Sequence, residues 1–319
     1  MYNELKDIFN KYEIIKCEPL TKGFSKDKKY KVEDSKGVKY ILRVSDVSVL
    51  EKRKNQFQIL KQLNNLNVYC SKPIDFGMID DNNCYTLLSW IDGIDAREAI
   101  KNLSDKESYL LGIEAGKILK KIHNLDIIEP KESWYDRYLP KMERKINSLL
   151  ASEYKIPMQE ELIKYYKDNV FLMKDRPEKF CHGDYHLGNM IVHNGKIGII
   201  DFDKCGINDP YDDLKPFCWN TMESEYFETG LIDGYFDDNI PDDFFKILKY
   251  YTIESMISHL PWAVAFGEEE IEVMKKINSY QMKWWDNFKL DIPTWYKRNK
   301  WHATNRCRYI NWINLMMDV

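Results

Sequence analysis

His182-Gly183-Asp184-Tyr185-His186-Leu187-Gly188-Asn189 opens the stretch whose reading decides the fold; Met190-Ile191-Val192-His193, Asn194-Gly195 and Lys196 to Ile200 follow, and Asp201-Phe202-Asp203 closes it. Asn-Gly between two apolar runs is a strong hairpin signal, because both turn positions need positive φ. Antiparallel strands joined by so tight a turn bring their far ends together, which makes Asn189 and Asp201 spatial neighbours. An amide oxygen and a carboxylate suit Mg2+, which keeps several waters and completes its shell from substrate phosphates. Asp184, five residues before Asn189, falls at the mouth of the same site, where it could accept a proton from a hydroxyl.

Upstream, residues 12 to 45 read as strands. Tyr30 and Val32 alternate with polar residues, Asp34-Ser35-Lys36-Gly37 supplies a turn, and Val38, Tyr40, Leu42 and Val44 continue with period two. Ile41 and Arg43 share the opposite face of that second strand. Residues 47 to 63 carry an imperfect helical stripe, Leu50, Phe57, Leu60 and Leu63, and Cys84 to Ile91 reads as a buried strand. Ser104 and Glu107 form a capping box ahead of the stripe Leu111, Ala115, Ile118 and Ile122. Downstream of the hairpin, 242 to 259 and 268 to 288 read as helices.

HGDYHLGN followed by IIDFD resembles the catalytic loop and metal-binding Asp of the aminoglycoside phosphotransferase family, relatives of protein kinases. The resemblance implies an α+β, protein-kinase-like two-lobed fold: a small β-rich N-lobe with its hinge over residues 1–91, and a larger, mainly helical lobe for catalysis and acceptor binding over 92–319. It further implies that Asp184 is the catalytic base, that Asn189 and Asp201 hold Mg2+, and that ATP or GTP is the co-substrate. Leu20-Thr21-Lys22-Gly23-Phe24-Ser25 is similar to the turn that covers the phosphates, with Gly23 and Ser25 as its contacts.

Arg43 falls where the family usually places the Lys that holds the α and β phosphates, and Gln56 aligns with the helical Glu that pairs with it, two departures on one axis. On that register an Arg43–Gln56 hydrogen bond replaces the ion pair; Glu51 is the substitute if the register shifts by a turn. CYTLLSWIDG is similar to the interlobe hinge, where backbone groups at Ser89 and Ile91 would meet the base edge and Ile41 would pack on its face. His182 is assigned to holding the loop, and Asp213, in DPYDDL, to bracing it.

Composition narrows the alternatives. The 319 residues carry a net charge of −4, and the longest apolar stretch, near Leu260 to Phe266, is too short for a membrane span. No secretory pattern opens the chain, and seven cysteines without a Cys-x-x-Cys pair fit a reducing cytoplasm. Residues 220 to 245 hold eight acids and no Lys or Arg, which disfavours nucleic acid. They form either a solvated surface or a wall for a cationic ligand, for which Glu223, Glu225, Glu228, Glu268 and Glu269 are candidates.

His182, Asp184, His186 and His193 could instead build a zinc cluster, and Trp262, Trp284 and Trp285 read as core at helical spacing. The expectation drawn from all of this is a monomeric, nucleotide-dependent O-phosphotransferase that acts on a small polycationic acceptor, an aminoglycoside first. Macrolide, choline-like or sugar kinases and a nucleotide-binding pseudokinase are the alternatives.

Overall fold

The computed structural model describes residues 3–21, 26–126 and 130–297. Gly23, Ser25 and the basic tail beyond Lys297 lie outside the described residues. In chain order the helices are α1 (Lys6–Lys11), α2 (Leu50–Asn65), α3 (Ala96–Ile100), α4 (Asp105–His123), α5 (Trp134–Ala151), α6 (Gln159–Asp168), α7 (Phe217–Glu223), α8 (Glu225–Phe236), α9 (Phe244–Ala263) and α10 (Glu268–Trp284). The strands are β1 (Ile14–Leu20), β2 (Lys28–Asp34), β3 (Lys39–Asp46), β4 (Pro73–Met78), β5 (Asn83–Ser89), β6 (Ile94–Asp95), β7 (Lys179–Cys181), β8 (Met190–His193), β9 (Lys196–Ile199) and β10 (Gly206–Asn208). Among the described residues no helix is long and apolar enough to cross a membrane.

The chain forms two compact units, the first comprising residues 1–94 with 190–203 and the second 95–189 with 204–319. The boundary lies three residues beyond the one expected at position 91, and the hairpin, assigned from sequence to the helical part, packs with the β-rich unit. The cause is pairing: Ile199 bridges to Cys70 in parallel, and Gln56 of α2 donates to the Phe202 carbonyl at 3.0 Å.

In the first unit a five-stranded antiparallel sheet has the order β1-β2-β3-β5-β4. Period-two alternation decides its faces. Val32, Leu42 and Leu87 are fully buried with Leu5 in the core, while Ile41, Arg43 and Ser45 occupy the opposite face of β3. The β2–β3 turn is fixed by Asp34, whose carboxylate accepts from the Lys36 and Val38 amides at 2.9 and 2.8 Å. Strand β5 stops at Ser89, two residues short of the expected Ile91, and the predicted 47–63 helix is a short 3-10 turn running into α2.

The second unit is mainly helical. Its α4 starts at the expected capping box, with Ser104 and Glu107 satisfying each other's backbone amides. The closest helix crossing is α4 on α8, made by two glycines from each side: a Cβ on Gly112, Gly116, Gly230 or Gly234 would come within 2.0 to 2.3 Å of a facing backbone oxygen. Only backbone this close fits there, and the crossing fixes the position of α8. Helix α9 runs through Pro261, and α10 ends at Trp284 rather than Phe288. Trp284 and Trp285 are core, but Trp262 is not: it is 44% exposed beside Phe266, because it follows the proline on the outer side of α9.

Candidate active site

In the helical unit the loop from His182 to Asn189 is held by its backbone. The His182 and Gly183 amides each donate to the Asp213 carboxylate at 2.6 Å, and Asp213 is buried against His123, whose Nε2 is 3.0 Å away. Two charge-assisted bonds to one buried carboxylate fix the entry of the loop. The chain then turns at Gly183, φ 85°, where a Cβ would lie 2.2 Å from the Lys204 carbonyl oxygen. The Asp184 amide donates to His182 Nδ1 at 3.2 Å, so the buried His182 ring props the next residue. Farther on, the Leu187 amide donates to Asn220 Oδ1 at 2.7 Å, and the Asn220 side-chain amide donates to Glu228 at 2.8 Å.

Asp184 is a carboxylate beside a lysine and an imidazole ring. Lys204 Nζ is 3.1 Å from its Oδ2 and His186 Nε2 is 3.7 Å from its Oδ1. Burial alone would raise its pKa, but His186 and then Lys204 outweigh burial and hold the group well below the usual carboxylate range. Such a carboxylate stays ionised, a weak base in the ground state that can accept a hydrogen bond from a hydroxyl. Asn189 Nδ2 donates to the Asp184 carbonyl at 2.9 Å and lies 3.3 Å from its carboxylate. These contacts turn the Asn189 side-chain nitrogen into the loop.

In the β-rich unit the outermost hairpin pair is Met190↔Ile199; Asn189 precedes that pair by one residue and Asp201 follows it by two. Asp201 is exposed, with φ 63° in the left-handed region. The donor types, an amide oxygen and a carboxylate oxygen, fit a hard divalent cation of the magnesium class and not a soft metal.

The expected Arg43–Gln56 contact is replaced by a larger network. Arg43 pairs with Asp203, and its Nε is 3.5 Å from Asp27. Gln56, buried, accepts instead from Arg53 Nη1 at 2.6 Å, and Arg53 also reaches Asp203 at 2.9 Å, Ser45 Oγ at 3.1 Å, and Asp27. Arg53 precedes Gln56 by three residues and so shares its helix face, whereas Arg43 meets the carboxylate that follows the hairpin. Burial disfavours the Asp203 anion; Arg43 foremost, then Arg53 and Lys29, reverse that and pull its pKa down to about 2. Glu51 stays exposed near Lys54 and takes no part.

Ile41 lies half-buried on the Arg43 face, and Ile91 is buried against Gly198. The Ser89 amide already donates to the Lys72 carbonyl at 2.8 Å, so it is not the open donor expected there.

The five candidate acceptor carboxylates separate. Glu223 and Glu269 are exposed, Glu268 accepts from Tyr154 at 3.0 Å, and Glu225 pairs with Lys297 at 2.5 Å. Glu228 corrects the expectation of an open acidic wall: it is 1% exposed, and burial, countered only by Asn220, pushes its pKa up to about 8. Asp233 is likewise buried, accepting from Tyr109 at 2.8 Å and Tyr296 at 2.6 Å. Asn220 of α7 meets the Glu228 carboxyl, and Tyr109 of α4 that of Asp233. Neither reading of this acidic segment from sequence anticipated that.

Nor does the zinc alternative find a cluster. His193 is exposed beside the turn, and among the described residues the one grouping of three ligand-type side chains is His123, Cys181 and Asp213. It is a buried hydrogen-bonded set: Asp213 receives the loop amides, His123 Nδ1 is 2.8 Å from the Tyr235 hydroxyl, and burial keeps the Cys181 thiol protonated. Residues that sequence reasoning missed are Asp27, Arg53, Lys204 and Asn220. Arg53 alone left a signal, three residues before Gln56.

Residues 16–243 match the sequence profile of the phosphotransferase enzyme family. The protein LicA homolog of Metamycoplasma hominis is 33% identical over 189 residues, 58% of this chain and 69% of that protein. Among solved structures, the amicoumacin kinase hAmiN in complex with AMP-PNP, Ca2+ and Ami covers 92% of this chain and 96% of its own, with a TM-score of 0.63 at 16% identity. The ADP-bound aminoglycoside phosphotransferase APH(2'')-Ib gives 0.63 at 16% identity over 92% of this chain and 99% of its own. The GDP and kanamycin complex of APH(2'')-IIIa gives 0.67 at 15% identity over 87% and 96%.

Proposed function

The chain belongs to the phosphotransferase enzyme family, and from that premise we propose that it transfers the γ-phosphoryl group of ATP or GTP to a hydroxyl of an amine-bearing small molecule, with an aminoglycoside as the first candidate. The observation that carries the reading is Asp184, a carboxylate kept ionised by Lys204 and His186 on a loop clamped by Asp213. Asp184 accepts a hydrogen bond from the acceptor hydroxyl and takes its proton as the oxygen bonds to the γ-phosphorus. The bond from that phosphorus to the β,γ-bridging oxygen breaks, and the nucleoside diphosphate leaves.

Asn189 and Asp201 would hold Mg2+, which supplies charge neutralisation on the triphosphate. Ile41, the Ser89 carbonyl and Ile91 would bind the base, Arg43 would steady the non-transferred phosphates, and Gly23 and Ser25 would cover them. Positioning and charge complementarity supply the rate, without a covalent enzyme intermediate.

The Arg43–Asp203 pair speaks against a pseudokinase, because the acid missing at Gln56 is supplied three residues from the hairpin end and Arg43 remains held. The names of the structural neighbours support an aminoglycoside or a related amine-bearing antibiotic. A second acceptor class, a choline-like single cation, is favoured by Trp219, half-buried with its ring centroid 6.2 Å from that of His186. One aromatic face suits one quaternary ammonium better than a polycation.

The deciding experiment incubates the purified chain with Mg2+, each nucleotide and a panel of aminoglycosides, macrolides, choline and simple sugars, and reads product masses for an added phosphate. Phosphate on an aminoglycoside selects the first reading and phosphate on choline the second. Nucleotide binding with no product from any acceptor returns the pseudokinase.

A further inference from the structure

Between α5 and α9 of the helical unit lies a cavity of about 370 Å3 whose lining includes Lys141, Arg144 and Lys145 of α5 and Ser258, Pro261 and Trp262 of α9. The α5 residues recur at i, i+3 and i+4, and so do those of α9, so each helix presents one face to the opening. The charge around it does not balance. Glu254, fully buried, accepts from the Tyr138 hydroxyl and Lys145 and lies 3.4 Å from Lys215; Asp212 accepts from Lys215.

Lys141 stands 3.9 Å from both carboxylates, outside hydrogen-bond reach, and among the described residues no carboxylate lies within 4.0 Å of Arg144. Two carboxylates thus stand beside three lysines, Arg144 adds a fourth cation, and the excess is concentrated on residues that line the cavity. His259 adds no charge, since burial, only partly offset by Asn278, pushes its pKa down to about 4. Arg144 is exposed and Lys141 half-buried, so both present their charge at the opening. Burial, helped by Lys215 and Lys141 and opposed by Glu254, pushes Lys145 down to about 8.

A dianion would balance that excess, and an ammonium would be repelled. The cavity is therefore unsuited to the amine of the proposed acceptor. Its α9 wall carries the Pro261 ring and Trp262, 44% exposed, beside the Ser258 hydroxyl. The volume sits near the lower end of the range for small-molecule sites, roughly 300 to 1,000 Å3, enough for a phosphate and one ring.

We propose that this cavity binds a small phosphomonoester, its phosphate among Lys141, Arg144 and Lys145 and its organic part against Trp262. The probe is phenyl phosphate, titrated calorimetrically into the full chain beside inorganic phosphate and phenol.

The expected result is saturable one-site binding, tighter for phenyl phosphate than for phosphate and absent for phenol. Replacing both Lys141→Gln and Arg144→Gln should weaken it roughly tenfold or more, as expected when charged partners of an anion are removed. Trp262→Ala should weaken phenyl phosphate and spare phosphate, and Arg43→Met should change neither. Lys145 is left in place, because its loss would strand the buried Glu254, and unfolding midpoints establish that the variants fold. No saturable binding, affinity unchanged in the double variant, or affinity lost in Arg43→Met would each overturn the proposal. The outcome is independent of whether any acceptor is phosphorylated.

Discussion

Glu228→Gln tests whether the buried end of the loop support carries a proton. The Glu228 carboxyl is 1% exposed and is bonded by the Asn220 amide at 2.8 Å, while Asn220 in turn receives the Leu187 amide of the catalytic loop. Burial raises its pKa from 4.5 to about 8. Between those two values the folded chain holds the proton and the unfolded chain has lost it, so stability falls as pH rises through that window and levels off above it.

At ~1.4 kcal/mol per pH unit, the window corresponds to at most about 5 kcal/mol, of which about 3 kcal/mol accrues between pH 5 and pH 8. Gln keeps an acceptor oxygen for Asn220 and cannot ionise. The expectation is that Glu228→Gln and the parent have similar stability at pH 5 and that the variant is the more stable by about 3 kcal/mol at pH 8. Urea unfolding followed by tryptophan fluorescence across that range reads it directly. Parallel curves for the two proteins would refute the assignment of a protonated, desolvated carboxyl at this position.

Four further outcomes are expected. Asp184→Asn should lower turnover by roughly 10²- to 10⁴-fold with nucleotide affinity unchanged, the range for loss of a general base; near-parental turnover removes Asp184 from the chemistry. Lys204→Met removes a cation 3.1 Å from Asp184, so the Asp184 pKa rises and the acidic limb of the rate profile moves to higher pH; an unmoved limb means the pair does not set that ionisation. Asp201→Ala should abolish the Mg2+ dependence of nucleotide binding measured by calorimetry, and equal affinities with and without metal in the parent would contradict the metal assignment. Arg53→Met leaves Asp27 and Asp203 short of a partner in a buried network and should cost about 3 kcal/mol in denaturant unfolding, whereas a loss below about 0.5 kcal/mol would show the network to be dispensable.

Legibility followed the range of the forces involved. The β2–β3 turn, the Asn194-Gly195 hairpin and the Ser104–Glu107 capping box were readable because each is decided by a few neighbouring residues, and the structure has all three. Helices α5 and α6 were not foreseen, and Pro140 inside α5 blurs the helical pattern there. The inward turn of Glu228 and Asp233 was illegible for a different reason. For Asp233 it depends on Gly112 and Gly116 of α4 meeting Gly230 and Gly234 of α8, and for Glu228 on Asn220 of α7, contacts that no hydrophobic period encodes.

The same limit explains why the expected Arg43–Gln56 contact gave way to another pairing. Sequence spacing locates the strand that carries Arg43 and the helix that carries Gln56, but it cannot show that Asp203 comes back beside them after the hairpin. Position 56 taken alone looks like a forfeited ion pair. With Asp203, Asp27 and Arg53 present, the negative charge has moved from the helix to two loops, and the cation on β3 keeps a carboxylate partner. Asp203, tied to Arg43, sits two residues from Asp201, so the arginine proposed to steady phosphate is anchored next to the carboxylate proposed to hold the metal.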